Sequence, residues 1–151
     1  MRLSTVILAA GQGTRMRSSL PKVLHPILGK YIAWYALEAA RQVTQSRPVM
    51  VIGHGADLVR QALGDQAEYV LQHPQLGTGH AVMQAEPLLA GKTDLVLVIY
   101  ADMPLLTAQT LGSLVDLAQS HTGSISMLTV TTDDARGFGR ILRDARGQVS
   151  G

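Results

Sequence analysis

Thr5-Val6-Ile7-Leu8-Ala9-Ala10-Gly11-Gln12-Gly13-Thr14-Arg15-Met16 begins as a β-branched apolar run and passes into small residues, glycines and a cation. An apolar run of this length, continuous rather than alternating, fits a strand covered on both faces, as in a mainly parallel sheet. The same kind of run recurs at Val49-Met50-Val51-Ile52, Tyr69-Val70-Leu71, Leu95-Val96-Leu97-Val98-Ile99 and Ile125-Ser126-Met127-Leu128-Thr129-Val130. Between the runs lie segments of helical spacing: Ile32 to Val43, Ala56 to Leu63, Thr78 to Leu89 and Thr107 to Ala118. Strand and helix therefore alternate, which predicts an α/β fold with a doubly wound, mainly parallel sheet and helices on both faces. Thr107 is the expected N-cap of the last helix, with Pro104 breaking the chain just before it.

With 151 residues the chain is long enough for one domain that buries about 70% of its unfolded surface. Hydrophobic residues at 46% and charged residues at 16% exclude a disordered chain. The 13 Lys+Arg against 11 Asp+Glu leave a net charge of only +2, and aromatics are 4%, so nucleic acid is not the expected partner. The cations are unevenly placed. Arg2, Arg15, Arg17, Lys22 and Lys30 all precede the first acid, Glu38, and such a stretch suits a polyanionic ligand. The absence of cysteine excludes disulfides, thiolate metal sites and cysteine nucleophiles. No apolar run reaches the ~18–20 residues that span a bilayer, and no signal-peptide pattern opens the chain, so a soluble, cytoplasmic domain without a membrane partner is expected.

In open α/β sheets ligands bind beyond the carboxyl ends of strands, which directs attention to the segments after Leu8, Leu71 and Ile99. Gly11 and Gly13 allow backbone N–H groups to approach phosphate oxygens, while Arg15 and Lys22 supply positive charge. The alternative is a glycine turn with solvated cations, since neither GxGxxG nor GxxxxGK[ST] is present. In Gln72-His73-Pro74-Gln75-Leu76-Gly77-Thr78-Gly79-His80 the two glutamines can read the edge of a base, and the glycines open a helix amino terminus to an anion. Taken alone this segment reads more readily as a glycine-rich cap with exposed glutamines. His73 and His80, lacking a partner at metal-ligand spacing, are expected in hydrogen-bonded structure rather than on a metal. Asp102 leaves the most apolar run and is an expected ligand of Mg²⁺, which takes one or two carboxylates and completes its shell with phosphate oxygens and water. Its competing role is a turn cap. Arg136-Gly137-Phe138-Gly139-Arg140 is a flexible cationic loop or a hairpin turn, and Arg140-Ile141-Leu142 and Gln148-Val149-Ser150 are the arms of an expected hairpin about Ala145-Arg146-Gly147.

Together these motifs resemble the sugar-phosphate nucleotidyltransferases, most closely the GlmU-type N-acetylglucosamine-1-phosphate uridylyltransferases. The resemblance runs over nearly the whole chain and rests on the stretch Leu8 to Met16, Leu20 to His25, Gly53 to Ala56, Gln72 to Ala81, Tyr100 to Leu105 and Gly137 to Arg140. It implies a Rossmann-like nucleotidyltransferase fold. It further implies that Leu8, Ala9, Ala10, Gly11, Gly13 and Thr14 hold the nucleotide, that Arg15 and Lys22 act on its phosphates, and that Gln72 and Gly77 contact uracil. Thr78, Tyr100 and Gly139 would sit at or near the sugar, and Asp102 would bind Mg²⁺. The implied reaction joins UTP and N-acetylglucosamine 1-phosphate into UDP-N-acetylglucosamine, a peptidoglycan precursor, and pyrophosphate. Another NTP or sugar phosphate, or nucleotide binding without turnover, is the alternative.

Two departures from the family pattern stand out. Ala101 occupies the place of a usual glycine before the aspartate. The family's sugar-binding glutamate and asparagine, its second metal ligand, and the β-helix through which GlmU forms homo-oligomers would all lie beyond Gly151. Residues 1–151 are thus expected to be the nucleotide-binding part of a longer enzyme, truncated at the carboxyl end.

Overall fold

The structure, a computed structural model, describes residues 1–121, 125–137 and 139–150. Among the described residues there are six strands, β1 (Leu3–Ala9), β2 (Pro26–Ile27), β3 (Lys30–Tyr31), β4 (Val49–Ile52), β5 (Glu68–Leu71) and β6 (Leu95–Tyr100), interspersed with five α-helices. These are α1 (Ile32–Val43), α2 (Ala56–Leu63), α3 (Thr78–Met83), α4 (Glu86–Leu89) and α5 (Ala108–Ser120). The main sheet is parallel throughout, in the order β5-β4-β1-β6. The chain moves outward from β1 through β4 to β5, then returns to the other side of β1 with β6. The order therefore reverses between β1 and β6, and that crevice is where such sheets take ligands.

Register decides which side chains face which helices. Ile7 is level with Met50 and with Ile99, and these three point into a core closed by Leu37 of α1, Val59 of α2 and Leu111 of α5. Val6 and Leu8 point the other way with Val49 and Val51, against Ala81 of α3 and Ala85. Both faces of β1 and β4 are covered, which is why their sequence is continuously apolar. Ala33, Ala36, Ala39 and Ala40 are buried along α1, and their small side chains let that helix lie close to its neighbours.

The helices α1 and α2 occupy the spans the periodicity predicts. Thr107 caps α5, its hydroxyl accepting from the Thr110 N–H at 3.2 Å. Three expectations need correcting. The segment Thr78 to Leu89 is two short helices rather than one, because Pro87, in the first turn of α4, has no N–H to bond back into the preceding turn. Ile125 to Val130 forms no strand: strand propensity stands only where a neighbour completes the ladder, and here Ile125 and Val130 are 92% and 71% exposed. The expected hairpin forms, but tightly confined. A single bridge joins Arg143 to Val149, and the turn runs from Asp144 to Gly147, one residue earlier than the sequence suggests. No helix among the described residues is long and apolar enough to cross a membrane.

Candidate active site

The segments that leave β1, β5 and β6 at their carboxyl ends enclose a cavity of about 360 Å³. A second hollow, of about 420 Å³, adjoins it at the ends of β4 and β5 and shares Gln72 and Gln75 with it. Together they make a groove over the topological switch point. A larger hollow of about 660 Å³ lies at the opposite ends of the strands, against Arg2, Thr44 and Asp116, and contains none of the nucleotide-, sugar- or metal-binding residues expected from sequence.

The loop after β1 supplies one wall. Gly13 has φ 62°, in the left-handed region, and a Cβ there would lie 2.8 Å from the Lys22 Cβ. Only glycine lets the two segments pass so closely. Lys22 opens a 3-10 turn, Lys22–Leu24, whose next two side chains, Val23 and Leu24, are buried in the core. These anchors fix where the ammonium group can reach. It reaches Asp102, with Nζ 2.6 Å from Oδ2 and both side chains partly exposed.

Asp102 is held by the ladder itself. The Ala101 N–H donates to the Leu8 carbonyl at 3.0 Å, which continues the β1–β6 pairing one residue past β6. Ala101 is fully buried with its methyl group in the core. Alanine in place of the usual glycine therefore fills the interior rather than the groove. Asp102 Oδ1 has no partner among the described residues, and these contain no group of three potential metal ligands. One carboxylate with a free oxygen, facing open space beside a cation, fits a Mg²⁺ ion that takes most of its ligands from phosphate and water.

Leu8, Ala9, Ala10, Gly11, Gly13, Lys22, Gln72, Gly77, Thr78, Tyr100 and Asp102 all line the cavity. Thr14 and Arg15 do not; they stand exposed on the 3-10 turn Thr14–Met16 at its rim, and Arg15 enters none of the ion pairs among the described residues. Gly139 is exposed and is not part of the cavity wall, and Phe138 beside it lies outside the described residues.

The two glutamines, equivalent in the sequence, have different surroundings. Gln72 is 5% exposed and lies between Gly77 and His80, its Nε2 3.0 Å from the Gly77 carbonyl and 3.1 Å from His80 Nδ1. His80 is thus in hydrogen-bonded structure, as its isolation in the sequence suggested. Gln75 instead turns its Nε2 to the Ala10 carbonyl at 2.5 Å, tying the β5–α3 loop to the loop after β1. A Cβ at Gly53 would lie 2.7 Å from that amide nitrogen and 2.8 Å from the Ala10 oxygen. Nothing local in the sequence announces this clamp, because its partners are sixty-five positions apart.

The family follows from comparison. A profile described as the MobA-like NTP transferase domain matches residues 5–142. The chain belongs to that family. Over 151 residues this NTP transferase domain is 52% identical to the bifunctional protein GlmU of Pseudomonas putida strain F1, a match covering 99% of the chain and 32% of the relative. The likeness to GlmU read from the motifs thus extends along the whole chain, and the chain spans about a third of the length of the curated relatives it matches. Among solved structures, a nucleotidyl transferase from Methanothermobacter thermautotroptrophicus superposes with a TM-score of 0.67 at 24% identity, over 76% of this chain and 57% of that one. A UDP-glucose pyrophosphorylase complexed with UDP-glucose superposes at 0.58 with 26% identity, over 80% of this chain and 54% of its own. The doubly wound, Rossmann-like nucleotidyltransferase fold expected from sequence is therefore the fold of this domain.

Proposed function

We propose that residues 1–151 are the nucleotide-binding part of a Mg²⁺-dependent enzyme that transfers a uridylyl group from UTP to N-acetylglucosamine 1-phosphate, giving UDP-N-acetylglucosamine and pyrophosphate. The observation that carries the reaction class is the Lys22–Asp102 pair at the β1/β6 crevice, which sets one cation and one metal-type carboxylate 2.6 Å apart on the cavity wall. The choice of UTP and this sugar phosphate is supported by the 52% identity to GlmU along 99% of the chain.

A phosphate oxygen of the sugar phosphate attacks the α-phosphorus of UTP, and the bond from that phosphorus to the bridging oxygen breaks as pyrophosphate departs. No enzyme nucleophile is needed, in keeping with a cavity lined by glycines, a cation and a carboxylate. Lys22 leaves Asp102 for the α-phosphate and balances the charge that grows on its oxygens in the transition state. The backbone N–H groups of the loop after β1 and Arg15 hold the remaining phosphates, while Gln72 and Gly77 take the base. Asp102 would hold the Mg²⁺, which when bound neutralises phosphate charge. Thr78 and Tyr100 lie on the cavity wall where the sugar nucleotide would extend. Oligomerisation and a cytoplasmic site of action are proposed with the GlmU likeness alone.

A second reading, nucleotide binding without turnover by these 151 residues taken alone, is favoured by the position of Gly139 away from the cavity. Pyrophosphate release tests both: the second reading expects UTP binding but no release from residues 1–151 alone. The first reading expects release from UTP only when N-acetylglucosamine 1-phosphate and Mg²⁺ are both present. Binding of UTP with no release under those conditions, in the chain joined to the remainder of its protein, would contradict it.

A further inference from the structure

We propose that His80 is a positioning residue for base selection: it holds the Gln72 side-chain amide with its carbonyl oxygen toward the nucleobase, so that the groove accepts an N–H at ring position 3 of a pyrimidine. The inference rests on the assignment of UTP above and adds the device that would enforce it.

Gln72 ends just past β5, where its backbone N–H donates to the Ile52 carbonyl at 2.8 Å and fixes the root of the side chain. The side chain is almost wholly buried, so its orientation is set by protein partners rather than water. Gly77 offers a carbonyl oxygen, which can only accept; the Gln72 NH₂ group must therefore be the end that faces it. That group has two hydrogens, and the second is directed at His80 Nδ1. Both donors are then used. Oε1 accepts from no group among the described residues, and it is not one of the buried unpartnered atoms, which are Thr5 Oγ1 and His25 Nε2. Gln72 lines both hollows of the groove, and with both donors used Oε1 is the polar atom of its side chain left to a ligand. With the phosphates fixed by the loop after β1, an oxygen in this place accepts the N3–H of uracil and meets the N3 lone pair of cytosine.

The ring can do this in only one form. To accept at Nδ1 a neutral imidazole must carry its proton on Nε2. Gln84, one turn along at the end of α3, stands against that second nitrogen at 3.1 Å and donates to the His80 backbone carbonyl at 3.0 Å. Its NH₂ group competes for the ring, since a neutral histidine cannot accept from both glutamines. The form protonated on Nε2 serves Gln72, and Gln84 then keeps its bond to the His80 carbonyl.

The test measures dissociation constants of UTP and CTP, each with Mg²⁺, by calorimetry. The wild type is expected to prefer UTP. His80→Phe keeps a ring but removes the acceptor, and it should lower that preference about five- to tenfold, mainly through weaker UTP binding, with the melting temperature little changed. His80→Asn, which restores an acceptor oxygen, should recover most of the preference. A preference that survives His80→Phe in a folded protein overturns this proposal and leaves the UTP assignment standing; equal affinities in the wild type overturn both. Nitrogen-15 NMR of the wild-type imidazole with UTP bound needs no variant. Protonation at Nε2 is expected, and protonation at Nδ1 would overturn the proposal.

Discussion

Lys22 Nζ lies 2.6 Å from Asp102 Oδ2, joining the loop after β1 to the end of β6 across eighty positions of sequence. Both side chains are partly exposed, at 39% and 34%, so the pair contributes at most about 1 kcal/mol to folding. Its value is positional: it keeps a cation and a carboxylate at the crevice where the strand order reverses.

Asp102→Asn should therefore separate function from stability. The amide keeps the shape but loses the charge that draws a divalent ion. Titrating Mg²⁺ at fixed UTP should show the metal dependence of nucleotide binding weakened at least tenfold, while the melting temperature moves by only a few degrees.

Gly13→Ala should do the reverse and harm both. The left-handed φ of 62° costs a non-glycine residue about 1–2 kcal/mol, and the new methyl group would press on the Lys22 Cβ. Urea unfolding should register a loss of that size, and UTP binding should fall with it because Lys22 is displaced.

Leu37→Ala tests the core beneath the sheet. Leu37 is fully buried between α1 and its neighbours, and its truncation should cost about 2–5 kcal/mol in denaturant unfolding. The groove residues are untouched, so UTP affinity of the folded fraction should be unchanged.

Away from the groove, Arg2 pairs with Asp94 through its guanidinium at 2.9 Å and through its backbone N–H at 2.7 Å. The side-chain bond, then the backbone bond, lowers the Asp94 pKa to about 2. A carboxylate depressed on folding contributes stability that is present above its unfolded pKa of ~3.9 and is lost as pH falls toward 2. Carboxyl-carbon NMR should find Asp94 titrating near that value, and Arg2→Ala should return it toward the ordinary range.

Much of this was legible in the sequence because it is local. Continuous apolar runs mark β1 and β4, and the spans of α1 and α2 follow from the spacing of their apolar residues. The glycines after β1 and the acid after β6 mark the groove without any knowledge of pairing. What was not legible depends on partners distant in the chain. Gln72 and Gln75 look alike until the fold brings His80 to one and the Ala10 carbonyl to the other. Ile125 to Val130 has the composition of a strand but no neighbouring strand to complete its hydrogen bonds. Pro87 stands inside the helical spacing of Thr78 to Leu89, and its one missing N–H suffices to divide the helix.

The most direct measurement is pyrophosphate release from UTP and N-acetylglucosamine 1-phosphate with Mg²⁺, comparing the wild type with Lys22→Ala in the chain joined to the remainder of its protein. The account predicts that the wild type releases pyrophosphate and that the variant, though folded, loses about 10²–10³ in kcat, as when a donor to transition-state charge is removed. A folded Lys22→Ala protein that turns over at the wild-type rate would contradict it.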